Sequence, residues 1–291
     1  MAAAPANHAL RPAAERAAQI SDRGFEMAER GMPYAGCSEL VKSLQLLAQA
    51  LDMQEGNSVH AASLASGLKA LDEAGNFVSS AGNPAVVNVG EIVSMHQTPV
   101  LKSHPTVATL SPVAAQQQYF AYAQAQLAMA AGGQQVASQA LYRLGKLQTA
   151  LAAHDADPQA LHAPQAIVFH QAALTTDAAN YLAANELGVL LARYGQLPEA
   201  RSVLLHSVSV RPQLESWHNL AAVHKRLGEE DLSRRAEHER DLLAKQLGRT
   251  APQSASDLVR WVDPQTFAKS GNDTPWPSNM TAVTKPANVR R

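Results

Sequence analysis

The sequence predicts an all-α protein, and three observations support that fold class. Helical periodicity dominates from about residue 12 to about residue 247, and no segment keeps the apolar–polar alternation of a half-buried strand. Alanine, the residue with the highest helix propensity, is abundant, whereas aromatic residues make up only 5% of the chain. Capping residues and helix breakers recur between the periodic segments, so the boundaries of the helices can be located.

Eleven helices are predicted from these signals, with starts and stops taken from capping and breaking residues. Their ranges are 12–31, 35–53, 58–75, 84–95, 111–131, 136–153, 160–176, 179–194, 198–210, 214–227 and 229–247. Three starts carry a capping residue followed by proline, at Asn83, Ser111 and Asp157. Glycines mark expected stops, at Gly132 with Gly133, at Gly195 and at Gly228.

The helices divide the chain into regions of different character. The expected regions are a flexible amino terminus at 1–11, an N-terminal helical region at 12–137 with an irregular connector at 77–110, a repeat region at 138–247, and a tail at 248–291. The tail is rich in Pro, Ser, Thr and Asn, a composition that cannot bury a core, and it is predicted to be mostly disordered. A short apolar motif at 258–268 interrupts it.

Composition and charge argue against several classes of function. Lys and Arg number 24 and Asp and Glu 25, a net charge of -1, which argues against a generally basic nucleic-acid binder. The single cysteine, Cys37, excludes an intramolecular disulfide and any multi-cysteine zinc site. No apolar run reaches the roughly 18 residues needed to span a bilayer. The amino terminus lacks the apolar segment of a signal peptide, so the expected location is the cytoplasm.

An internal repeat is visible in the second half of the chain. An offset of 33 residues carries Leu187 onto Leu220 and Gly195 onto Gly228. In the first copy, at 181–213, apolar residues recur with helical spacing in two successive segments, and Gly195 between them permits a tight turn. The spacing therefore predicts a helix–turn–helix unit.

This clear unit resembles a tetratricopeptide repeat, whose pattern is W-x2-L-G-x2-Y, then A-x3-F, then P. The matching residues are Ala184, Leu187, Gly188, Leu191, Gly195, Ala200, Leu204 and Pro212. A terminal unit at 214–246 matches through Trp217, Leu220, Ala221, His224 and Gly228, and departs at Ser233 and Glu237. A polar second helix of this kind is typical of a capping repeat.

Two further units match less well. A stretched unit at 138–178 carries Leu141, Leu144, Gly145, Gln148, Ala166, His170 and Ala173 at pattern positions. A weak unit at 20–55 carries Met27, Gly31, Tyr34, Leu47 and Ala50. Residues 56–137 are helical without a repeat assignment. The resemblance implies a right-handed helical solenoid, expected to be one continuous array from about 12 to 247.

The sequence carries no phosphate-binding, dinucleotide-binding or metalloprotease motif, so we expect no enzymatic activity and no cofactor. His154, His162 and His170 are spaced eight apart, but histidines about 12 Å apart along a helix cannot share one zinc ion. No metal site is therefore predicted. His170 and His224 occupy repeat-core positions, where we expect partly buried, hydrogen-bonded side chains. Cys37 is expected to fill the core.

In tetratricopeptide arrays the first helix of each unit lines a concave groove that holds a partner peptide. The groove positions carried over unit by unit are Tyr142 and Lys146, then Asn185, Val189 and Arg193, then His218, Ala222 and Lys225, with Arg226 beside Lys225. This surface is mildly basic. The clamp of co-chaperone members does not match, because Glu186 stands where that clamp has asparagine. The alternative is that these are ordinary exposed residues.

These observations predict a non-catalytic scaffold or adaptor that binds another protein or peptide and no nucleic acid. Its partner and its oligomeric state are left open. Two alternatives remain: a structural or cell-envelope assembly component, or a helical domain associated with an enzyme, with activity in 56–137. In the tail, Trp261, Val262 and Phe267 are expected to dock on the protein's own helices or to bind a partner, since burial stabilises apolar anchors.

Overall fold

The computed structural model describes residues 7–78, 88–154 and 161–248, and within these ranges the chain is helical without a strand. The α-helices are α1 (Asn7–Glu29), α2 (Pro33–Glu55), α3 (Val59–Glu73), α4 (Val89–Met95), α5 (Pro112–Ala131), α6 (Gln135–His154), α7 (His162–Thr176), α8 (Tyr181–Arg193), α9 (Leu197–Val210), α10 (Leu214–Arg226) and α11 (Glu230–Gln246). The predicted all-α class is confirmed. None of these helices combines the length and the hydropathy needed to cross a membrane.

The start and the end of α5 show how local sequence sets a helix boundary. Ser111 caps the helix, because its Oγ accepts a hydrogen bond from the Ala114 N–H at 3.2 Å. Pro112 follows at the first helical position, where its missing N–H has no helical partner. Gly132 ends the helix with a φ of 53°, a left-handed conformation that glycine adopts without strain.

Helix α4 is shorter than the predicted helix at 84–95. It begins after Asn88, whose side chain accepts a hydrogen bond from the Glu91 N–H at 3.3 Å. A second asparagine thus supplies the capping chemistry that the sequence assigns to Asn83. Asn83 and Asp157, two of the predicted capping residues, lie outside the described residues.

The amino terminus differs from the prediction. Residues 7–11, expected to be flexible, belong to α1, and Pro12 lies inside this helix. Proline at a first helical position is a start signal, which is why the sequence places the boundary at residue 12. Here Pro12 lies close enough to the helix start that its missing N–H removes one early hydrogen bond without ending the helix.

The weak unit predicted at 20–55 coincides with α1 and α2 but has a different register. Gly31 has a φ of 83° and forms the turn between the two helices, so the pattern residues around it do not share one helix. The closest approach lies instead at Gly24 and Gly36. A Cβ on Gly36 would lie 2.6 Å from the Gly24 carbonyl oxygen, so only glycine fits there.

Helices pack in pairs throughout the described ranges. The pairs are α1 with α2, α3 with α5, α6 with α7, α8 with α9, and α10 with α11. In the α6–α7 and α8–α9 pairs, a glycine on the first helix admits a side chain from the second. A Cβ on Gly188 would lie 2.5 Å from Leu204 Cγ, and one on Gly145 would lie 2.5 Å from His170 Cε1.

The α3–α5 pair is built in the same way, although the sequence suggested no repeat there. A Cβ on Gly67 would lie 3.1 Å from Leu127 Cγ, so this glycine stands opposite a leucine as Gly188 stands opposite Leu204. The connector at 77–110 follows α3 and precedes α5 in the chain, so the pattern residues of this pair are far apart in sequence.

The paired helices share two hydrophobic clusters among the described residues. One cluster extends from Ala17 in α1 to Ala183 at the start of α8, and the other covers α8 to α11. The first pair, α1 with α2, contacts the second pair, α3 with α5. It also contacts the third pair, α6 with α7, because α1 and α2 both pack on α6. At this junction Arg143 of α6 forms an ion pair with Asp22 at 2.6 Å and lies 5.5 Å from the Phe25 ring centroid.

This contact goes beyond those of a simple repeat array, and the continuous solenoid from about 12 to 247 stays a prediction. In a one-dimensional repeat array each unit touches only its neighbours, and here the first pair also touches the third. The physical reason is that α1 and α2 bury their apolar residues against α6 as part of a single core. The predicted tail motif, with Trp261, Val262 and Phe267, lies outside the described residues.

Candidate functional site

Three hydrogen bonds join the first helices of the last three pairs, α6, α8 and α10. Lys146 Nζ donates to Glu186 Oε1 at 3.1 Å, linking α6 to α8. Asn219 Nδ2 donates to Asn185 Oδ1 at 3.0 Å, linking α8 to α10. Arg226 Nη1 donates to the Ala192 carbonyl at 2.7 Å, a second link between α8 and α10. These contacts place the polar residues of three helices on one surface, which we call the first-helix face.

The sequence directs these side chains outward because the opposite side of α8 is apolar. Leu187, Leu190 and Leu191 are 4%, 1% and 6% exposed, and they fill the core one helical turn apart. Asn185 and Glu186 come immediately before this stripe and are half-buried. Burying the leucines therefore turns the Asn185 amide away from them, and the bond from Lys146 fixes the direction of the Glu186 carboxylate.

A buried asparagine sets the relative positions of α6 and α8. Asn180 is 8% exposed, and its Oδ1 accepts a hydrogen bond from the Ala183 N–H at 3.0 Å, capping α8. Its Nδ2 donates to Ser138 Oγ at 2.8 Å, and Ser138 donates onward to the Ala173 carbonyl of α7 at 2.8 Å. This chain of hydrogen bonds aligns the start of α8 with α6 and α7.

The basic end of the first-helix face lies where α8 and α10 end. Arg226 Nη1 donates to the Ala192 carbonyl at 2.7 Å, which places its guanidinium beside Arg193, the last residue of α8. Lys225 precedes Arg226, and both residues are exposed, as is Arg193. His218 of α10 is also exposed. The face therefore has a mixed polar centre and a basic end.

Two predicted groove residues contribute less surface than expected. Val189 is 6% exposed, because it packs into the core between α8 and its neighbours and offers a partner little area. Tyr142 is half-buried, and its ring centroid lies 5.9 Å from that of His170. Burial raises the pKa of Tyr142, and the nearby Glu186 carboxylate raises it further.

His170 does not have the hydrogen bonds that the sequence led us to expect. Its side chain is 0% exposed, and among the described residues neither ring nitrogen has a hydrogen-bond partner. Burial, together with the smaller effect of the Lys146 ammonium, lowers its pKa to about 3. The ring occupies the space that Gly145 leaves, where the equivalent pair has Leu204 against Gly188. The His170 imidazole thus occupies a buried position that an apolar side chain of similar size would also fill.

His224, in contrast, is buried and hydrogen-bonded as expected. It is 4% exposed, and its Nδ1 lies 2.6 Å from Glu229 Oε2. The same carboxylate pairs with Arg201 of α9. The hydrogen bond to His224, with help from Arg201, lowers the pKa of Glu229. This cluster fastens the turn between α10 and α11 to α9.

The remaining histidines and the cysteine show no assembled metal centre in the described part of the chain. His162 Nδ1 lies 2.7 Å from Gln148 Oε1, and no three His, Cys, Asp or Glu side chains there are grouped to hold a metal ion. Cys37 is half-buried against the first hydrophobic cluster, and burial raises the pKa of its thiol.

A buried carboxylate anchors the connector. Glu73 is 2% exposed and ends α3. It accepts hydrogen bonds from the Gln97 N–H at 2.6 Å and from the Thr98 hydroxyl at 2.5 Å, with the Thr98 N–H at 3.3 Å. Sequence reasoning missed this role, since Glu73 and Thr98 are joined only by the folding of the connector onto α3.

His96 and Tyr119 extend this buried cluster to α5. Tyr119 Oη lies 3.1 Å from the Val100 carbonyl oxygen and 2.6 Å from His96 Nδ1, within hydrogen-bond distance of both. The other ring nitrogen of His96, Nε2, lies 3.1 Å from Asn76 Nδ2. Burial lowers the pKa of His96 and raises the pKa of Tyr119 to about 12. Both residues are buried, so the cluster holds the connector in place and presents no open site.

An open groove lies on another surface of the last two pairs. Its apolar lining includes Leu205 of α9, Trp217 and Leu220 of α10, and Leu232 of α11. Charged side chains of α11 surround it, among them the Asp231–Arg234 ion pair.

Two comparisons with known proteins found no relative. No protein-family model matches the chain. A search of the curated proteins also found no match. The functional argument therefore depends on the geometry of the first-helix face and on the sequence pattern of the repeat units.

Proposed function

We propose that this protein is a non-catalytic interaction scaffold, and that its first-helix face binds a peptide or helix of another protein. The observation that carries the proposal is the set of side-chain contacts between successive first helices, from Lys146–Glu186 to Asn219–Asn185. These contacts hold polar side chains of α6, α8 and α10 in fixed register on one accessible surface. A surface of this kind can recognise an extended main chain and its side chains together.

The sequence supports the same proposal through its resemblance to tetratricopeptide repeats. The spacing of Gly188, Ala200 and Leu204 in α8 and α9 follows that pattern, and the close approach of Gly188 to Leu204 agrees with it. We accordingly propose that α6 to α11 are three repeats of tetratricopeptide type, acting in the cytoplasm. Cell fractionation tests the location.

Selection from a random dodecamer phage library tests peptide binding directly. Ala222 lies on α10 between Asn219 and Arg226, at helical spacings that put all three on the first-helix face. Ala222→Trp places an indole on this face, and Ser209→Trp, at an exposed position of α9, is the matched control. Both variants first have to show the helical circular dichroism of the parent.

We expect peptides that bind the parent chain and the Ser209→Trp variant to lose at least tenfold in affinity for Ala222→Trp. The proposal would be contradicted if the library yields no binding peptide, or if the selected peptides bind Ala222→Trp with the same affinity as the parent.

A further inference from the structure

The basic end of the first-helix face holds cations that the described part of the protein does not neutralise. Arg193 and Lys225 are exposed, and neither forms an ion pair within 4 Å with any acidic side chain in the described ranges. Two acidic residues of the same region are paired with other cations, Glu186 with Lys146 and Glu229 with Arg201.

The main chain offsets only part of this positive charge. Arg193 and Lys225 lie in the last turns of α8 and α10, and each helix carries about half a negative charge at its carboxyl end. One of these ends is already occupied, because Arg226 donates to the Ala192 carbonyl at 2.7 Å. Arg193 and Lys225 thus bring two positive charges against about one negative charge from the two helix ends, one of which Arg226 also engages.

We infer that this basic end binds an acidic segment of the partner peptide, an inference that rests on the proposed function above. Charge complementarity identifies the partner's chemistry: carboxylates placed beside Arg193 and Lys225 would complete ion pairs that the chain itself leaves open. Since Arg226 is held by Ala192, its guanidinium is positioned before the partner arrives. The mixed centre of the face, with Asn185 and Asn219, would then receive the neutral part of the same peptide.

The acidity of library-selected peptides and their response to charge removal test this inference. The probe is the tightest dodecamer selected on the parent chain, labelled with fluorescein, together with its version in which every Asp and Glu is replaced by Asn and Gln. Binding is measured by fluorescence anisotropy to the parent, to Arg193→Gln with Lys225→Gln, and to Arg16→Gln with Arg235→Gln. The last pair removes two equally exposed cations elsewhere, with the same change in net charge.

We expect the Arg193→Gln/Lys225→Gln variant to weaken binding of the acidic peptide about fivefold to tenfold, and the control pair less than twofold. Raising the salt concentration from 50 to 300 mM should weaken the parent complex and reduce that difference. Thermal melts by circular dichroism establish that both variants are folded.

Two results would overturn the inference, and they can be told apart. If the selected peptides are neutral or basic, or if charge removal changes affinity less than twofold while Ala222→Trp still blocks binding, the acidic partner is wrong and the scaffold proposal stands. If Ala222→Trp also has no effect, both the inference and the scaffold proposal fail.

Discussion

Replacing His170 with leucine should stabilise the protein. The imidazole is 0% exposed, and within the described residues neither of its nitrogens has a hydrogen-bond partner. Leucine occupies the equivalent place opposite Gly188, at Leu204, so the surroundings of Gly145 are suited to that side chain. Removing buried polar atoms that have no partner recovers their desolvation cost, about 1–3 kcal/mol. His170→Leu should therefore raise the free energy of unfolding by that amount at neutral pH.

The stabilisation should grow as the pH falls. The pKa of His170 is about 3 in the folded protein, against an ordinary value near 6.5 when the chain is unfolded. Below pH 6.5 the unfolded chain binds a proton that the folded protein does not, so acid favours unfolding down to the folded pKa. By this linkage His170 costs the parent about 2 kcal/mol at pH 5, and the variant escapes that loss.

Urea denaturation followed by circular dichroism at 222 nm measures both effects, at pH 7.5 and at pH 5.0. Other titrating groups, such as His96, contribute equally to parent and variant and cancel in the difference. His238→Gln, at an exposed histidine, is the control and should change stability by less than about 0.5 kcal/mol. If His170→Leu lowered stability equally at both pH values, the reasoning would be refuted, because the imidazole would then be satisfied in the native state.

Three further substitutions test the packing and the buried polar contacts. Gly188→Leu should lower the melting temperature and cost about 1–3 kcal/mol or more, because a Cβ alone would lie 2.5 Å from Leu204 Cγ; an unchanged melting temperature would contradict the close crossing. Glu73→Gln should cost about 1.5–3 kcal/mol in urea denaturation, since the connector loses charge-assisted hydrogen bonds; equal stability would show that the connector is held elsewhere. Asp52→Ala should cost about 1 kcal/mol, because the Asp52 carboxylate accepts main-chain hydrogen bonds from the first turn of α3 at 2.8 and 2.9 Å. A calorimetric melt identical to that of the parent would exclude that cap.

The helices could be predicted from the sequence because their signals are local. Ser111 with Pro112 marks the start of α5, and Gly132 marks its end, in agreement with the structure. Helix boundaries in the second half of the chain could be predicted in the same way. Gly195 forms the turn between α8 and α9, and Gly228 forms the turn between α10 and α11. Each of these boundaries depends on two or three neighbouring residues and needs no tertiary contact.

The pairing of α3 with α5 and the packing of α1 and α2 on α6 could not be predicted in this way. The connector places Gly67 and Leu127 far apart in sequence, so a search at a fixed repeat length does not align them. The ion pair between Asp22 and Arg143 joins residues of α1 and α6, and no local pattern indicates it. The three-dimensional contacts of the first half therefore depend on burial that only the fold reveals.

At the candidate site, the repeat spacing gave the positions of the residues but not the exposure of each one. Lys146, Asn185 and Arg226 make contacts between successive first helices, and their role in a binding groove stays a prediction. Val189, carried over by the same pattern, is buried, because the pattern does not specify how closely the neighbouring helices pack. In the sequence, Glu186, the partner of Lys146, differs from its neighbours only in departing from the clamp pattern.

Photocrosslinking tests the central claim most directly, because it locates the bound peptide on the protein. A library-selected dodecamer carrying benzoylphenylalanine is irradiated with the full-length chain, and the crosslinked positions are identified by mass spectrometry. We expect crosslinks on α6, α8 and α10 around Asn185, Asn219 and Ala222, competed by unlabelled peptide. Crosslinks confined to the groove lined by Leu205 and Leu232, or to the connector, would contradict the assignment of the first-helix face as the binding surface.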